Sequence, residues 1–502
     1  MMYSSAVFLL RILSFLFTTT WFVPDEVFQS VEPAHVLVYG TGHLSWEWSH
    51  SLRSWIHPWL LAVPLFFSKW LGVDSQLVVW YLPRLVHSVF FFLGDISYLS
   101  LVDRLRLSPR DAQCAIFVYV TNWFVMYCSS RTLANCLETS LLLIALSYFP
   151  FPGTRTWSTT AYISIAMLSI VIRPTAVLLW AVFGLYHLYL CSDRVRLLFH
   201  VIPTVLLSLL FFFLFDSYFF GKWTFPMYNF FVFNVYTGGS AHFGVHPMYW
   251  YLVDGVPAVL NVSLIPIVVG LWKRNTCGVP LMAAAFYLFV HSLLAHKEHR
   301  FLLPLVPLLS VYAIPLGRPK VFYSFLFTVN MGLSLYMMRV HQAGPFSASW
   351  WVLDHNHHRL LALMPCYSIP ANSFFHDAVE VRGLDCSPDL RGMGMMDEAD
   401  SFHHNPSKWI NDNRELISSF DVIMMYEKMF EDVSSSLSAL SFSPCARVAH
   451  AHVPEYNCNG TIVEHPEYGE VMQLTGDQRQ QVKELLCKVG IVKEENCKVH
   501  GF

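Results

Sequence analysis

Charged side chains are scarce in this sequence. Only 13% of its 502 residues are Asp, Glu, Lys or Arg, whereas 55% are hydrophobic, and the mean hydropathy is positive. Soluble domains carry about 25% charged residues, so a soluble globular fold is excluded and the chain reads as an integral membrane protein. With a net charge of only -3, no nucleic-acid partner is expected. No internal repeat is evident, which counts against a transporter built from inverted repeats with ionisable groups at the bilayer midplane. The first apolar run has no clear small-residue cleavage site, so it reads as a retained helix rather than a secretory signal. No metal cage is evident: His296 and His299 miss the i, i+4 spacing of a helical zinc pair.

What is present is a sharp asymmetry. Residues 1–340 are nearly all apolar runs, while 341–502 are polar and rich in His, Asp and Glu. A spanning helix needs about 20 apolar residues. Spans are expected at 5–22, 77–101, 112–129, 137–151, 158–172, 175–190, 198–219, 257–272, 279–295, 301–316 and 321–338, eleven in all. Arg173-Pro174 predicts a break between two short spans, and the Pro-bearing, aromatic segment 57–70 is read as interfacial. The basic loops "DRLRLSPRD" (103–111), Arg155, "SDRVR" (192–196), "KR" (273–274) and "GRPK" (317–320) alternate with the other loops. The positive-inside rule makes them cytoplasmic. The N-terminus is then cytoplasmic, and 23–76, 130–136, 220–256, 296–300 and the tail are lumenal. Six of the eleven cysteines lie in that tail, and Asn459-Gly460-Thr461 is a glycosylation sequon. Both suit a lumenal domain, although the disulfide pairing cannot be read from spacing.

Polar chemistry gathers on the lumenal side. The first loop opens with Asp25 and Glu26 just past the first span, followed by Glu32, Trp46, Trp48 and Arg53. Asp25 and Glu26 could simply be solvated, or start a helix after Pro24, and the tryptophans could belong to the interfacial belt. "SSRTLANCLET" (129–139) puts Arg131, Asn135 and Glu138 at near-helical spacing, which a plain helix start would also explain. In "HKEHRFLLPLVPLL" (296–309), His296, Lys297, His299 and Arg300 crowd donors between two spans, against the positive-inside trend. Arg forks and Lys ammonium groups bind phosphate, and a helix beginning near Phe301 would add its N–H groups to the same anion; lipid headgroups are the alternative occupant. A membrane-edge carboxylate, a phosphate-sized cationic site and aromatic platforms together suit sugar transfer from a lipid phosphate to an acceptor hydroxyl. A carboxylate would act as general base and the cations would stabilise the leaving phosphate. A non-catalytic scaffold with a lumenal interaction module remains the alternative outside enzymes and transporters.

"PDEVFQSVEPAH" (24–35), "GTGHLSWEWSHSLRS" (40–54) and "HKEHRF" (296–301) resemble glycosyltransferase family 22, the endoplasmic-reticulum mannosyltransferases that use dolichyl-phosphate mannose. In the tail, "LMPCYSIP", "LDCSPDL" and "MDEADSFHHNPSKWI" resemble the branch of that family that acts in GPI-anchor assembly. Phe28 stands where the family usually has Tyr or Trp, and Ser45 where it usually has Thr. The resemblance implies an α-helical polytopic membrane protein of GT-C fold in the endoplasmic-reticulum membrane. It also implies inverting transfer of a third mannose, in α-1,2 linkage, to the second mannose of the GPI precursor, with N-glycan precursor extension as the alternative within the family. On that pattern Asp25 is the base and Glu26 orients the acceptor or the base. His296, Lys297 and Arg300 bind the dolichyl phosphate, Glu298 orients those cations, and Glu32, Arg53, Arg131 and Glu138 support them. Some GT-C enzymes use a divalent ion and others do not, so the resemblance leaves metal open and implies no further cofactor.

Overall fold

The structure, a computed structural model, describes residues 2–154, 157–240, 244–274, 278–387, 396–448, 461–465 and 469–473. Among the described residues, four helices are long and apolar enough to cross a bilayer: Gln76–Arg104, Arg194–Phe220, Tyr251–Lys273 and Pro319–Arg339. Shorter apolar helices run over Tyr3–Phe17, Ala134–Leu146, Thr159–Ile172, Pro174–Leu190 and Val279–Leu293. Large apolar side chains such as Leu206, Leu207, Leu210 and Phe211 face outward on Arg194–Phe220. A surface of that kind is stable against lipid and not against water.

Inside the bundle, Arg11 on the first helix forks onto Asp95 (2.7 and 3.2 Å), which also accepts from the Tyr119 hydroxyl at 2.8 Å. Burial makes an unpaired charge untenable in a membrane interior, so this triad ties three helices together. Helices Gln76–Arg104 and Ala134–Leu146 meet backbone to backbone at Gly94, where a Cβ would lie 2.9 Å from the Cα of Ser140.

Two expected spans are interrupted. The run 112–129 breaks at Asn122, whose backbone is extended and whose side-chain oxygen caps the next helix, Trp123–Cys128, by accepting from Phe124 and Val125 N–H. A capping side chain offers the backbone an alternative to continued helix, and hydropathy alone does not register it. The run 301–316 is a tight 3-10 turn, His299–Leu302, followed only by the short helix Leu305–Ser310; Pro304 and Pro307 each remove a helix donor. At Arg173 the backbone is extended (φ -141°, ψ 100°) before the turn Pro174–Ala176, as the residue before proline prefers.

The first loop is built largely of short helices. A π-helical turn, Val27–Val31, runs into helix Glu32–Tyr39, which stops at Gly40 in the left-handed region (φ 77°). Segment Ile56–Trp70 is helical and packs on Glu32–Tyr39 through Val31, Ala34, Leu61, Ala62 and Leu65. After residue 344 the chain forms a small α/β unit. Strands β1 (Arg359–Leu363), β2 (Glu380–Gly383) and β3 (Val422–Met425) make a parallel sheet in the order β2-β1-β3. Its core is continuous with Trp21, Val27, Phe28 and Trp80, so the first loop is clamped between the helical bundle and this unit. Cys366 and Cys386 form a disulfide beside the sheet, and Cys445 is exposed and has no disulfide partner among the described residues. Cys458, Cys487, Cys497 and the Asn459 sequon lie outside the described residues.

Candidate active site

Asp25 and Glu26 are adjacent in sequence but placed very differently. The turn after Pro24 sends the Glu26 side chain inward, where it is 1% exposed, and leaves that of Asp25 25% exposed. Glu26 is held from both sides, by Arg84 at 3.0 Å and Arg131 at 2.7 Å, while its main-chain carbonyl accepts from the Thr132 hydroxyl at 2.6 Å. Arg131 is fully buried; it also donates to the Thr20 carbonyl and hydroxyl and lies 4.1 Å from the Tyr127 ring centre. Arg84 stacks at 4.6 Å on Trp80. Glu26 thus locks the loop to the bundle.

Asp25 accepts from Nη1 of Arg300 at 2.5 Å, across 275 residues of sequence. The same guanidinium forks onto Glu298, with Nε and Nη2 each at 2.6 Å, and Glu298 also contacts His296 Nε2 at 2.7 Å. Burial alone would raise the Glu298 carboxyl, but the Arg300 charge and the His296 and Arg300 hydrogen bonds outweigh it and hold it well below the usual carboxylate range. Its ionised form is therefore retained until the pH falls through that depressed value, and the Arg300 anchor persists under mildly acidic conditions. Burial opposes the charge on Arg300 as well, yet Asp25 and Glu298 keep it above its ordinary value. Of its five N–H donors, three serve these carboxylates and two remain for an anion. Lys297 is buried and donates to the main-chain carbonyls of His246 (2.9 Å) and Leu294 (2.6 Å), and burial pulls its ammonium below the ordinary value. The α-helix expected to start near Phe301 does not form; a single 3-10 turn, His299–Leu302, stands there and α-helix resumes only at Leu305.

The supporting candidates separate into distinct places. Glu32 is buried and accepts from the backbone N–H groups of His43 (3.0 Å), Asn372 (3.0 Å) and Ser373 (2.9 Å), joining the first loop to the α/β unit. Arg53 pairs with Glu47 at 2.8 Å and lies over the Phe230 ring. Glu138 lies 3.1 Å from Nε of Arg173, whose guanidinium stacks at 4.5 Å on Phe301. Asp25, Glu298, His296, Arg300 and, through Phe301, Arg173 form one continuous group, while Glu26, Glu32 and Arg53 hold its frame. Arg84, which pairs with Glu26, is the charged neighbour that motif reading passed over. Its signal was available, since a lone arginine inside the run 77–101 demands a partner. Among the described residues, no three His, Cys, Asp or Glu side chains converge as a metal-holding set.

Removing the Glu32 acceptor by Glu32→Ala strands three N–H donors, each costing about 1–3 kcal/mol when buried and unsatisfied. The expected result is a lower melting temperature with faster hydrogen exchange confined to 41–43 and 371–375. Unchanged exchange there would mean that Glu32 does not couple the two parts.

A family profile described as the Alg9-like mannosyltransferase family matches residues 2–376. A zebrafish (Danio rerio) protein named GPI alpha-1,2-mannosyltransferase 3 is 32% identical over 481 residues, covering 93% of this chain and 90% of the relative. The human (Homo sapiens) protein of that name is 34% identical, covering 89% and 83%, and mannosyltransferase APTG1 of Arabidopsis thaliana is 30% identical, covering 88% and 87%. The crystal structure of ArnT from Cupriavidus metallidurans bound to undecaprenyl phosphate superposes with a TM-score of 0.54. It covers 86% of this chain and 94% of that one at 10% identity, a likeness of fold.

Proposed function

Because the chain belongs to the Alg9-like mannosyltransferase family and has a GT-C membrane fold, we propose that it transfers mannose from dolichyl-phosphate mannose to the second mannose of the GPI-anchor precursor. The observation that carries the chemistry is the meeting of Asp25 from the first loop with Arg300 from "HKEHRF". The choice of acceptor rests on relatives named GPI alpha-1,2-mannosyltransferase 3, which align along nearly the whole chain.

In this reading the acceptor hydroxyl approaches the side of the site that Asp25 reaches. Asp25 takes the hydroxyl proton as the oxygen attacks C1 of the donor mannose. The bond from C1 to the phosphate oxygen breaks on the opposite face, and its electron pair leaves with dolichyl phosphate. One in-line displacement converts the β donor linkage to an α-1,2 product linkage. The two remaining donors of Arg300 meet the developing phosphate charge, with His296 and Lys297 beside it, and Glu298 fixes the guanidinium so that it needs no reorganisation. Glu26 acts through the loop it anchors. The protein sits in the endoplasmic-reticulum membrane with its N-terminus cytoplasmic and both the first loop and the C-terminal unit lumenal.

Cells lacking the third GPI mannosyltransferase test the assignment. Expression of this chain is expected to restore surface display of a GPI-anchored reporter and to clear the two-mannose lipid intermediate. Failure despite correct expression overturns the GPI assignment. Rescue instead of cells that accumulate a truncated dolichol oligosaccharide would transfer it to the N-glycan precursor pathway.

A further inference from the structure

Arg300 is not the only partner that fixes the first loop. Residues 25–39 run as one continuous helical stretch, so Asp25 at one end moves with His35 near the other. His35 is buried and reaches across to the C-terminal unit. Its Nε2 lies 3.0 Å from Nδ1 of His376, and its Nδ1 lies 2.6 Å from the Thr41 carbonyl oxygen. His376 has an uncommon backbone conformation for a residue other than glycine (φ 49°), of the kind that persists where its surroundings fix it. Its Nε2 lies 3.5 Å from the exposed carboxylate of Asp377. The Tyr39 ring packs at 4.6 Å against both imidazoles. Lys69 lies 4.9 Å over that ring and donates to the Val38 carbonyl, and Asp74 acts on the Tyr39 hydroxyl, whose pKa burial pushes up to about 12. Glu32, one turn before His35, is turned to the N–H groups of His43, Asn372 and Ser373.

A carbonyl only accepts, so Nδ1 of His35 carries a proton and, in the neutral ring, its Nε2 accepts. Nδ1 of His376 must then donate, which leaves Nε2 of His376 bare and turned to Asp377. One extra proton fits this chain: on that Nε2 it meets the Asp377 carboxylate, and both hydrogen bonds stay. A second does not fit. With both rings protonated, N–H meets N–H between two cations, and the only ring-to-ring link across the junction is lost. We propose that His35 and His376 form a proton-gated latch, which closes the first loop onto the C-terminal unit at neutral pH and releases the stretch carrying Asp25 as the second proton binds. Its effect on activity rests on the reading of Asp25 as the base. Burial, with the His376 and Lys69 charges, pulls the His35 imidazole below its ordinary value of 6.5, against the Thr41 hydrogen bond and the Asp377 charge. A base whose value is lowered in the closed form takes its proton more readily in the open one. The latch is therefore at full strength above pH 6.5 and weakens below it. Glu298 keeps its charge over that range, so an acid loss of activity does not arise from the Arg300 fork.

The test follows hydrogen exchange and mannose transfer in purified full-length protein from about pH 7.5 to about pH 5, a range that brackets the ordinary histidine value. In wild type, exchange at 41–43 and 371–376, corrected for its intrinsic pH dependence, is expected to quicken by up to about tenfold per pH unit for each proton taken up on opening. Transfer should fall over the same range. His376→Asn keeps a donor in the place of Nδ1 and suits a positive φ, but takes no proton, and the acid response of both readouts should be largely lost. Asp377→Asn, at an 80% exposed side chain, is the second variant if the first does not accumulate. It should move the response to lower pH, because the first proton loses its carboxylate. Junction exchange that ignores pH in wild type, or responds equally in wild type and both variants, overturns the latch. So does an acid loss of transfer while the junction stays closed. A junction that opens in acid, in a protein that transfers no mannose at neutral pH, supports the latch and fails the transferase reading instead.

Discussion

Asp25→Asn is expected to abolish GPI-dependent surface display at matched protein levels and to leave the two-mannose lipid in place. In the purified enzyme the loss should be about 10²–10⁴-fold in kcat, the range for removing a general base. The substitution keeps the shape and leaves an oxygen to accept from Arg300, but it removes the capacity to take a proton. Stability should barely change. The Asp25 side chain is 25% exposed, the amide still accepts from Arg300, and Arg300 keeps Glu298 as its carboxylate partner, so the cost should stay near about 1 kcal/mol. The two magnitudes are far apart, so a well-folded, inactive Asp25→Asn variant can be told from a misfolded one by its melting temperature. Equal rescue by both forms would move the base elsewhere while leaving the enzyme class intact.

The helical membrane body was legible because hydropathy runs are local in sequence. The break at Arg173-Pro174 was legible for the same reason: proline acts on its immediate neighbours. Asn122 was not, because one capping amide is diluted in the mean hydropathy of a long apolar run. The motifs "PDE" and "HKEHR" were each visible, but their contact depends on a 275-residue separation that no periodicity encodes. The different fates of Asp25 and Glu26 are the clearest case. Both read as membrane-edge acids, and only the positions of Arg84 and Arg131, 58 and 105 residues away, decide which is solvent-reaching and which is locked inward. The parallel three-stranded sheet of the C-terminal unit was hidden because its strands are only four or five residues long. Runs that short cannot be assigned from alternation.

Glu26→Ala should fail in the opposite way from Asp25→Asn. It removes the carboxylate that Arg84 and Arg131 share, side chains 5% and 0% exposed, and leaves two guanidinium groups near each other out of water. Breaking a buried ionic cluster by deleting one partner costs about 3–5 kcal/mol, a large share of the stability of a typical domain. The expected outcome is poor accumulation and a sharply lower melting temperature, with Glu26→Gln intermediate, since an amide accepts from one arginine but adds no charge. Adding Arg131→Met to Glu26→Ala should recover part of the loss, because the second change removes one of the stranded charges. The coupling in that double-mutant cycle, rather than either single effect, measures the pairing. Activity per folded molecule then separates the two acids. If Glu26→Gln folds and turns over within a few-fold of wild type, its role is to fix the loop that presents Asp25. If it folds with its melting temperature intact and is as inactive as Asp25→Asn, then Glu26 takes part in the proton transfer and the inward lock opens during turnover.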